Sequence, residues 1–123
     1  MIQLICHLIG DYPLQSQPMA DRKVTSWRWA FIHAAVYTLP FLLICQNWRA
    51  RAIICGTHAV IDRLRLAAKW CAFYGTGTRL TGLWKRWNVS AEPVPPFLAV
   101  WLTIIVDQTM HLAINYAALW AFP

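Results

Sequence analysis

Residues 97–122 read FLAVWLTIIVDQTMHLAINYAALWAF and form the clearest candidate membrane crossing in the chain. A helix of about 20 residues, rising 1.5 Å per residue, crosses the roughly 30 Å hydrocarbon core of a bilayer. Trp120 would then lie near one membrane surface, where tryptophan is enriched. The stretch therefore predicts a transmembrane helix, and this helix carries Asp107 and His111 within its apolar sequence.

The composition of the whole chain agrees with a membrane protein. Of its 123 residues, 59% are hydrophobic and only 13% are charged, with eight tryptophans. An ordinary soluble domain has about 25% charged residues. The length predicts one membrane-embedded helical domain, residues 1–123. The net charge of +6 could suggest nucleic acid, but the basic residues flank apolar stretches, so we expect contact with membrane lipids and no nucleic-acid partner.

Three further apolar stretches predict the rest of the bundle. Residues 1–12 are too few to cross a bilayer and predict a short N-terminal helix. Residues 26–45 predict a second spanning helix, kinked by Pro40, and residues 50–74 a third, with an amphipathic second half. Residues 75–96 predict a polar loop at the lipid headgroups. We therefore expect an all-α integral membrane bundle of about four helices, three of them spanning.

Lysine and arginine are commoner in cytoplasmic loops, so their positions predict the orientation. They cluster before the second predicted helix and again between the third and the fourth, at Arg22, Lys23, Arg28, Arg63, Arg65, Lys69, Arg79, Lys85 and Arg86. Both clusters should face the cytoplasm. The sequence thus predicts a multi-pass protein of the bacterial inner membrane, with both termini on the opposite side.

All four histidines and three of the five acidic residues lie in strongly apolar surroundings. Six of these seven form His/Asp pairs at a spacing of four, which puts both side chains on one face of a helix. Counting along the predicted helices places all seven at one depth, in the cytoplasmic half of the bilayer. The set is His7, Asp11, His33, His58, Asp62, Asp107 and His111.

This set of nitrogen and oxygen donors is typical of a transition-metal site. We expect the four histidines to be metal ligands, and Asp11, Asp62 and Asp107 to be ligands, a bridge or a catalytic general base. Zinc is the first candidate, with manganese, iron or nickel as alternatives, and the donors suffice for one or two ions. Three amide residues are close enough in sequence to orient the ligands, namely Gln15, Gln108 and Asn115.

A metal in this place would activate water for attack on an ester, amide or phosphoryl centre. We therefore predict a metal-dependent hydrolase that acts on a lipid or lipid-linked substrate at the cytoplasmic leaflet. Lys23, Arg63 and Arg65 are placed to bind an anionic headgroup, although each could equally anchor the chain at the membrane surface. No GxSxG motif is present to favour a serine nucleophile.

Other interpretations of the same residues stay open. Histidines and aspartates in membrane helices also form neutral polar networks that hold helices together. Such a core would suit a non-enzymatic membrane protein, for example a phage-encoded host-interaction or exclusion factor. An ion or proton transporter is a further alternative, but it would need a polar path to both membrane faces. A homo-oligomer would also fit so small a bundle.

Four stretches carry a family resemblance: HLIGDYPLQSQPMADRK (7–23), IHAAVYTLPFLL (32–43), THAVIDRLRLAAKW (57–70) and VDQTMHLAINY (106–116). They resemble the small bacterial and phage inner-membrane proteins grouped as domain of unknown function 3307. The resemblance covers nearly the whole chain and is weakest over residues 74–95. It implies the membrane layout, while a looser likeness to membrane-bound metal-dependent hydrolases implies the chemistry. The residues that carry it are His7, Asp11, Tyr12, Gln15, Lys23, His33, Tyr37, His58, Asp62, Asp107, Gln108 and His111.

Overall fold

The computed structural model describes residues 1–74 and 95–123, and within these ranges the regular structure is entirely helical. The all-α prediction is therefore confirmed for this part of the chain. The elements are α1 (Ile2–Asp11), α2 (Gln17–Arg22), α3 (Trp27–Thr38), a 3-10 helix (Leu39–Leu43), α4 (Trp48–Leu64), α5 (Leu66–Tyr74) and α6 (Pro96–Ala121). Residues 75–94, which make up most of the predicted headgroup loop, lie outside the described residues.

Two local features divide the long apolar stretches more than the sequence analysis expected. Pro40 lies in the 3-10 helix that follows α3, so the stretch 26–45 is not one continuous α-helix. Arg65 has a φ of 52°, in the left-handed region that ends a right-handed helix, and it separates α4 from α5. The predicted third helix, residues 50–74, is therefore two helices.

The prediction of three spanning helices is wrong. Within the described residues, α6 is the one helix that is long and apolar enough to cross a membrane. Only 11% of its most apolar 18-residue window is buried, whereas the core helix of a soluble protein would be mostly buried. The helix α3 has 12 residues, and α4 carries Arg49 and Arg51 at its start and Asp62 near its end. The helix α3 is therefore too short to be a span, and α4 carries too many charged residues to be one.

The chain divides into two compact units. The first contains Met1–Leu64 and His111–Pro123, and the second contains Arg65–Met110. The helix α6 continues through this division. The single domain expected from the length of the chain stays a prediction. Ala67, Cys71 and Ala99 are the buried apolar residues of the described part of the second unit.

Small residues bring the helices of the first unit close together. Ala30 and Ala34 on α3 pack against Ala59 on α4, and all three are fully buried; we call this contact the alanine seam. The absence of longer side chains lets two helix backbones approach closely. A second apolar cluster around Phe41 and Ile54 lies beside it. The seam places the histidine-bearing faces of α3 and α4 next to each other.

The surface of the molecule is unusually apolar and its interior unusually polar. Large hydrophobic side chains are exposed on several helices, including Leu43 at 85% and Trp120 at 78%. Among the described residues, by contrast, seven polar or ionisable ones are buried, namely His7, Asp11, His33, His58, Asp62, His111 and Asn115. Soluble monomers rarely expose this much apolar surface, and they rarely bury such residues without a function.

Candidate metal centre

Four helices of the first unit each contribute one buried histidine and, four residues later, one buried partner with a polar group. Both members of a pair lie on the same helix face because they are about one turn apart. The pairs are His7 and Asp11 on α1, His33 and Tyr37 on α3, His58 and Asp62 on α4, and His111 and Asn115 on α6. The rings of these histidines lie near one another, with centroids 4.9 Å apart for His33 and His58, 4.1 Å for His58 and His111, and 6.0 Å for His7 and His111. The functional roles of the seven residues stay predictions.

Four donor atoms from three of these helices lie close together. His33 Nε2 and His58 Nε2 lie 3.0 Å apart. Asp11 Oδ1 lies 3.3 Å from His33 Nε2 and 3.6 Å from His58 Nε2. Asp62 Oδ2 lies 3.4 Å from His33 Nε2 and 3.3 Å from His58 Nε2. Ligands about 2.0 Å from a tetrahedral zinc ion are about 3.3 Å from one another. Five of the six separations among these atoms are therefore close to the edges of a tetrahedron around one ion, and we call the four atoms the donor tetrahedron.

A second group of donors shares His58 and Asp62 with the donor tetrahedron. One ligand atom each from His58, Asp62 and His111 lie within 4.8 Å of one another, as do those from Asp11, His33 and His58. His111 Nε2 is 3.5 Å from Asp62 Oδ1, the carboxylate oxygen that is not part of the donor tetrahedron. Asp62 thus presents one oxygen to each group, as a bridging carboxylate does between two metals. The buried residues could hold one metal ion and supply ligands to a second.

Lys23 also belongs to this cluster. Its Nζ atom lies 2.9 Å from Asp62 Oδ2 and 3.3 Å from His33 Nε2, and its side chain is only 18% exposed. From the sequence, Lys23 is predicted to bind an anionic headgroup or to anchor the chain at the membrane surface. The structure instead places its ammonium group against two atoms of the donor tetrahedron.

Tyr37 holds the other side of the buried cluster. Its hydroxyl accepts a hydrogen bond from Asn115 Nδ2 and lies 2.7 Å from His7 Nδ1. Its ring stacks on that of His58, with centroids 3.7 Å apart and planes 18° apart. Since the tyrosine hydroxyl engages Nδ1 of His7, it leaves Nε2 of that ring directed toward Asp11 Oδ2, at 4.0 Å. Tyr37 therefore positions two histidines, one by hydrogen bonding and one by stacking.

A glycine allows α1 to reach this tyrosine. A Cβ atom on Gly10 would lie 2.6 Å from the carbonyl oxygen of Tyr37 and 2.8 Å from its ring atom Cδ2. No side chain fits there without a shift, because one of the two contacts is to backbone. The close approach positions His7 and Asp11, on either side of Gly10 in α1, against α3.

The electrostatics of the cluster favour the protonation states that metals require. Burial by itself would raise the pKa of Asp11 and of Asp62. Hydrogen bonds from His33 to Asp11, and from His111 and His58 to Asp62, have the opposite effect, as does nearby positive charge. Together they outweigh burial, so the pKa of each carboxylate is lowered. Burial lowers the pKa of His58 to about 4, against the partial compensation of its hydrogen bond to Asp62. At neutral pH the carboxylates are thus ionised and His58 is neutral, the forms in which these side chains bind metal.

The outer nitrogens of two of the rings differ from those of most metal-binding histidines. Nδ1 of His33 and Nδ1 of His58 are buried, and among the described residues neither has a hydrogen-bond partner. Metal-binding histidines usually donate this second N–H to a carboxylate or a carbonyl group. Packing must therefore fix these rings, through Tyr37 for His58 and through the alanine seam for the two helices.

The other cationic residues predicted to bind substrate have different positions. Arg63 donates from Nη1 to the carbonyl of Val24 at 3.0 Å and lies over the ring of Trp27 at 5.5 Å. It ties the end of α4 to the segment that carries Lys23. Arg65 is exposed and lies in the second unit. A role in substrate binding stays a prediction for both.

The three amide residues and Asp107 also differ from one another. Asn115 donates to Tyr37, so it does orient a histidine, through the tyrosine. Gln15 is half-buried, and its Oε1 has no hydrogen-bond partner among the described residues. Asp107 and Gln108 are half-buried on α6 and belong to the second unit. Neither donor group includes Asp107, so its role as a ligand stays a prediction.

No role is predicted from the sequence for Tyr37, and the role predicted for Lys23 differs from its position beside Asp62 and His33. The signal for Tyr37 was present, since it follows His33 by four residues, the same spacing that identified the His/Asp pairs. Only acidic residues were considered as partners at this spacing, so the tyrosine was missed. No comparable signal exists for Lys23, because its contacts are to residues 10 and 39 positions away.

Comparison with known proteins identifies the family but no activity, substrate or ligand. No curated protein and no solved structure matches the chain. A family model described as "Protein of unknown function (DUF3307)" matches residues 1–122. That description assigns no reaction, and the looser likeness to membrane-bound hydrolases has no support from it. Because the match covers nearly every residue and the buried histidines and aspartates all lie within it, the chain belongs to the DUF3307 family.

Proposed function

We propose that this protein is a metal-dependent hydrolase, anchored in the bacterial inner membrane, that cleaves a lipid or lipid-linked substrate at the cytoplasmic leaflet. The observation that carries the proposal is the donor tetrahedron, in which five of the six separations are 3.0 to 3.6 Å, close to the roughly 3.3 Å expected between ligands of one small metal ion. Two imidazole nitrogens and two carboxylate oxygens suit zinc best, with manganese, iron or nickel as alternatives.

The apolar exterior supports the membrane part of the proposal. The helix α6 is long and apolar enough to cross a bilayer, and Trp120 near its end suits the interface. Ile5 and Phe31, about half exposed on the shorter helices α1 and α3, would contact lipid beside that span. The basic residues around Lys23 and Arg63 would face the cytoplasmic leaflet, where anionic lipids attract them.

The composition of the first donor group supports catalysis rather than a purely structural ion. Asp11, His33 and His58 give two histidines and one carboxylate, a ligand set of catalytic zinc sites that leave a fourth position open. A metal held there would supply Lewis-acid polarisation of the scissile group and a more acidic water. Asp62 is then the residue that accepts a proton from that water, because one of its oxygens lies beside both histidines.

The structural alternative rests on the same residue. If Asp62 Oδ2 were a permanent fourth ligand, the site would be closed, as structural zinc sites are. The protein would then be a non-enzymatic membrane protein with a metal-stapled or salt-bridged core. Its partner would bind elsewhere on the surface, and loss of metal would reduce stability instead of turnover.

The test is metal content and coordination in the detergent-purified chain. Elemental analysis should give about one equivalent of a transition metal per chain, and Co²⁺ substitution should give the strong visible absorption of a tetrahedral site. Asp62→Asn should retain the metal but lose hydrolysis of an inner-leaflet lipid, while Asp21→Asn, at an exposed acid that Gln17 contacts, should keep both.

Two outcomes would contradict the proposal in different ways. If the wild-type chain takes up no zinc, manganese, iron or nickel, the metal centre does not exist. If Asp62→Asn abolishes metal binding and no inner-leaflet lipid is hydrolysed by the loaded wild type, the closed structural site is the better account.

A further inference from the structure

We propose that the Lys23 ammonium group is the resident cation of the metal-free centre, that a divalent metal displaces it, and that the displaced ammonium group then binds the anionic part of the substrate. The inference rests on the proposed metal centre and adds the substrate class, an anionic ester such as a phosphate ester. It starts from the two contacts of Nζ, at 2.9 Å to Asp62 Oδ2 and 3.3 Å to His33 Nε2.

The position of Nζ conflicts with a bound metal. One of its contacts is to His33 Nε2, a ligand of the proposed metal, which would lie about 2.0 Å from that atom; the other is to Asp62 Oδ2, which lies 3.4 Å from the same nitrogen. The ammonium nitrogen and the metal would then be only a few ångström apart. Two positive charges at that distance repel strongly in a buried site. One cation must therefore leave before the other can bind.

Formal charge shows what changes when the exchange takes place. Asp11 and Asp62 carry two negative charges, and Lys23 supplies one positive charge, so the metal-free cluster is short of one cation. A divalent metal balances both carboxylates by itself. Lys23 then becomes an excess positive charge at the edge of a neutral site, which is the arrangement that attracts an anion.

The local structure allows the side chain to move while its backbone stays in place. Lys23 is the C-cap residue that follows α2, and its own backbone N–H is bonded to the carbonyl of Met19. The next residue, Val24, is held through its carbonyl by Arg63. The lysine side chain is 18% exposed and has a flexible four-carbon stem, so its ammonium group can reach the surface by rotamer changes alone.

Lysine labelling of the wild-type chain tests the exchange directly. The detergent-purified protein is treated with an isotope-labelled reductive methylation reagent, with and without saturating Zn²⁺, and each lysine is quantified by mass spectrometry. We expect Zn²⁺ to raise the labelling rate of Lys23 roughly tenfold, the factor that corresponds to loss of one charge-assisted hydrogen bond. Lys69 is exposed on α5 and serves as the internal control, with an unchanged rate.

Variants test the competition and the anion site. Lys23→Met keeps the length but removes the charge, and it should bind Co²⁺ about tenfold more tightly than wild type, since no internal cation competes. Arg22→Met removes the neighbouring exposed charge and should leave the affinity unchanged. Inorganic phosphate should perturb the Co²⁺ spectrum of the wild type at lower concentration than that of Lys23→Met.

The outcomes separate this inference from the proposed function. If Zn²⁺ binds and the labelling of Lys23 does not change, or if Lys23→Met binds Co²⁺ no more tightly than wild type, the inference is wrong and the metal centre stands. If the wild type binds no metal, the proposed function fails, and the inference fails with it. Because the labelling uses the unaltered chain, the first result does not depend on the folding of a variant.

Discussion

The buried cluster has two ends that treat their polar atoms differently. At the donor end, formed by the donor tetrahedron and Lys23, ring nitrogens and carboxylate oxygens face one another at 3.0 to 3.6 Å. At the hydrogen-bonded end, formed by His7, Tyr37 and Asn115, the tyrosine hydroxyl links a ring nitrogen to an amide. The second end is linked by hydrogen bonds through one hydroxyl, whereas the first gathers nitrogen and oxygen donors that could hold a cation. The difference teaches that burial of histidines alone is weak evidence for a metal site, and that donors grouped within reach of one ion are stronger evidence.

The largest effect should come from removing a histidine at one end or the other. His33→Ala removes a ligand of the donor tetrahedron and should weaken metal binding by more than about 100-fold, beyond the loss typical of residues that only orient a ligand. His7→Ala removes a ring of the hydrogen-bonded end and should leave about one metal per chain. Elemental analysis after dialysis measures both. Equal loss of metal in the two variants would show that the two ends are one site.

The pH dependence of the metal-free protein should report the donor end next. The pKa of His58 is about 4 in the folded chain, against 6.5 for an unperturbed histidine. Between these values the unfolded chain binds more protons, so the stability should fall as the pH decreases from 6.5 to 4, by about 3 kcal/mol. Below that range, protonation of Asp11 and Asp62, whose folded pKa values are lowered, should remove further stability.

Chemical unfolding in the presence of a chelator measures this profile. His58→Gln keeps a side chain of similar polarity but does not titrate, so it should flatten the slope between pH 4 and 6.5. An unchanged slope in that variant would assign the titration to another group.

A pair of glycines tests the contact that joins the two ends. Gly10→Ala should destabilise the protein by about 1–3 kcal/mol, because its Cβ meets the backbone of Tyr37 and α1 must shift. Gly56→Ala should be neutral or stabilising by up to about 1 kcal/mol, since nothing lies within 4 Å and alanine favours a helix. Thermal unfolding of the two variants measures the difference, and equal effects would mean that the close contact at Gly10 carries no energetic weight.

The smallest effect should come from one oxygen atom. Tyr37→Phe keeps the ring that stacks on His58 but leaves His7 and Asn115 without the hydroxyl, at a cost of about 1–2 kcal/mol. Metal content should stay at the wild-type value, because the donor end keeps all its atoms. A loss of metal in Tyr37→Phe would show that the hydrogen-bonded end controls the donor end.

The site was easier to predict from the sequence than the membrane layout. A spacing of four fixes a shared helix face whatever the tertiary structure, so the pairs on α1 and α4 were identifiable from residue numbers alone. Histidine and aspartate are also costly to bury without partners, so their presence in apolar stretches carried information. The convergence of α1, α3, α4 and α6 followed from that cost.

The helix boundaries and the tyrosine were not predictable by the same means. Average hydropathy merges apolar residues into one stretch even where Pro40 changes the helix type or where Arg65 adopts a left-handed φ. At His111 the spacing rule works in both directions, toward Asp107 and toward Asn115. Only the fold shows that Asn115 contacts Tyr37.

The alanine seam has a consequence for how the family can vary. Since Ala30, Ala34 and Ala59 are fully buried at the contact of α3 and α4, a larger residue on one helix would separate the two backbones and widen the gap between the rings of His33 and His58. Homologous sequences should therefore show compensating sizes at these positions, with a gain in volume at 59 matched by a loss at 30 or 34. Coupled substitution there would be the evolutionary trace of a fixed distance between two histidines.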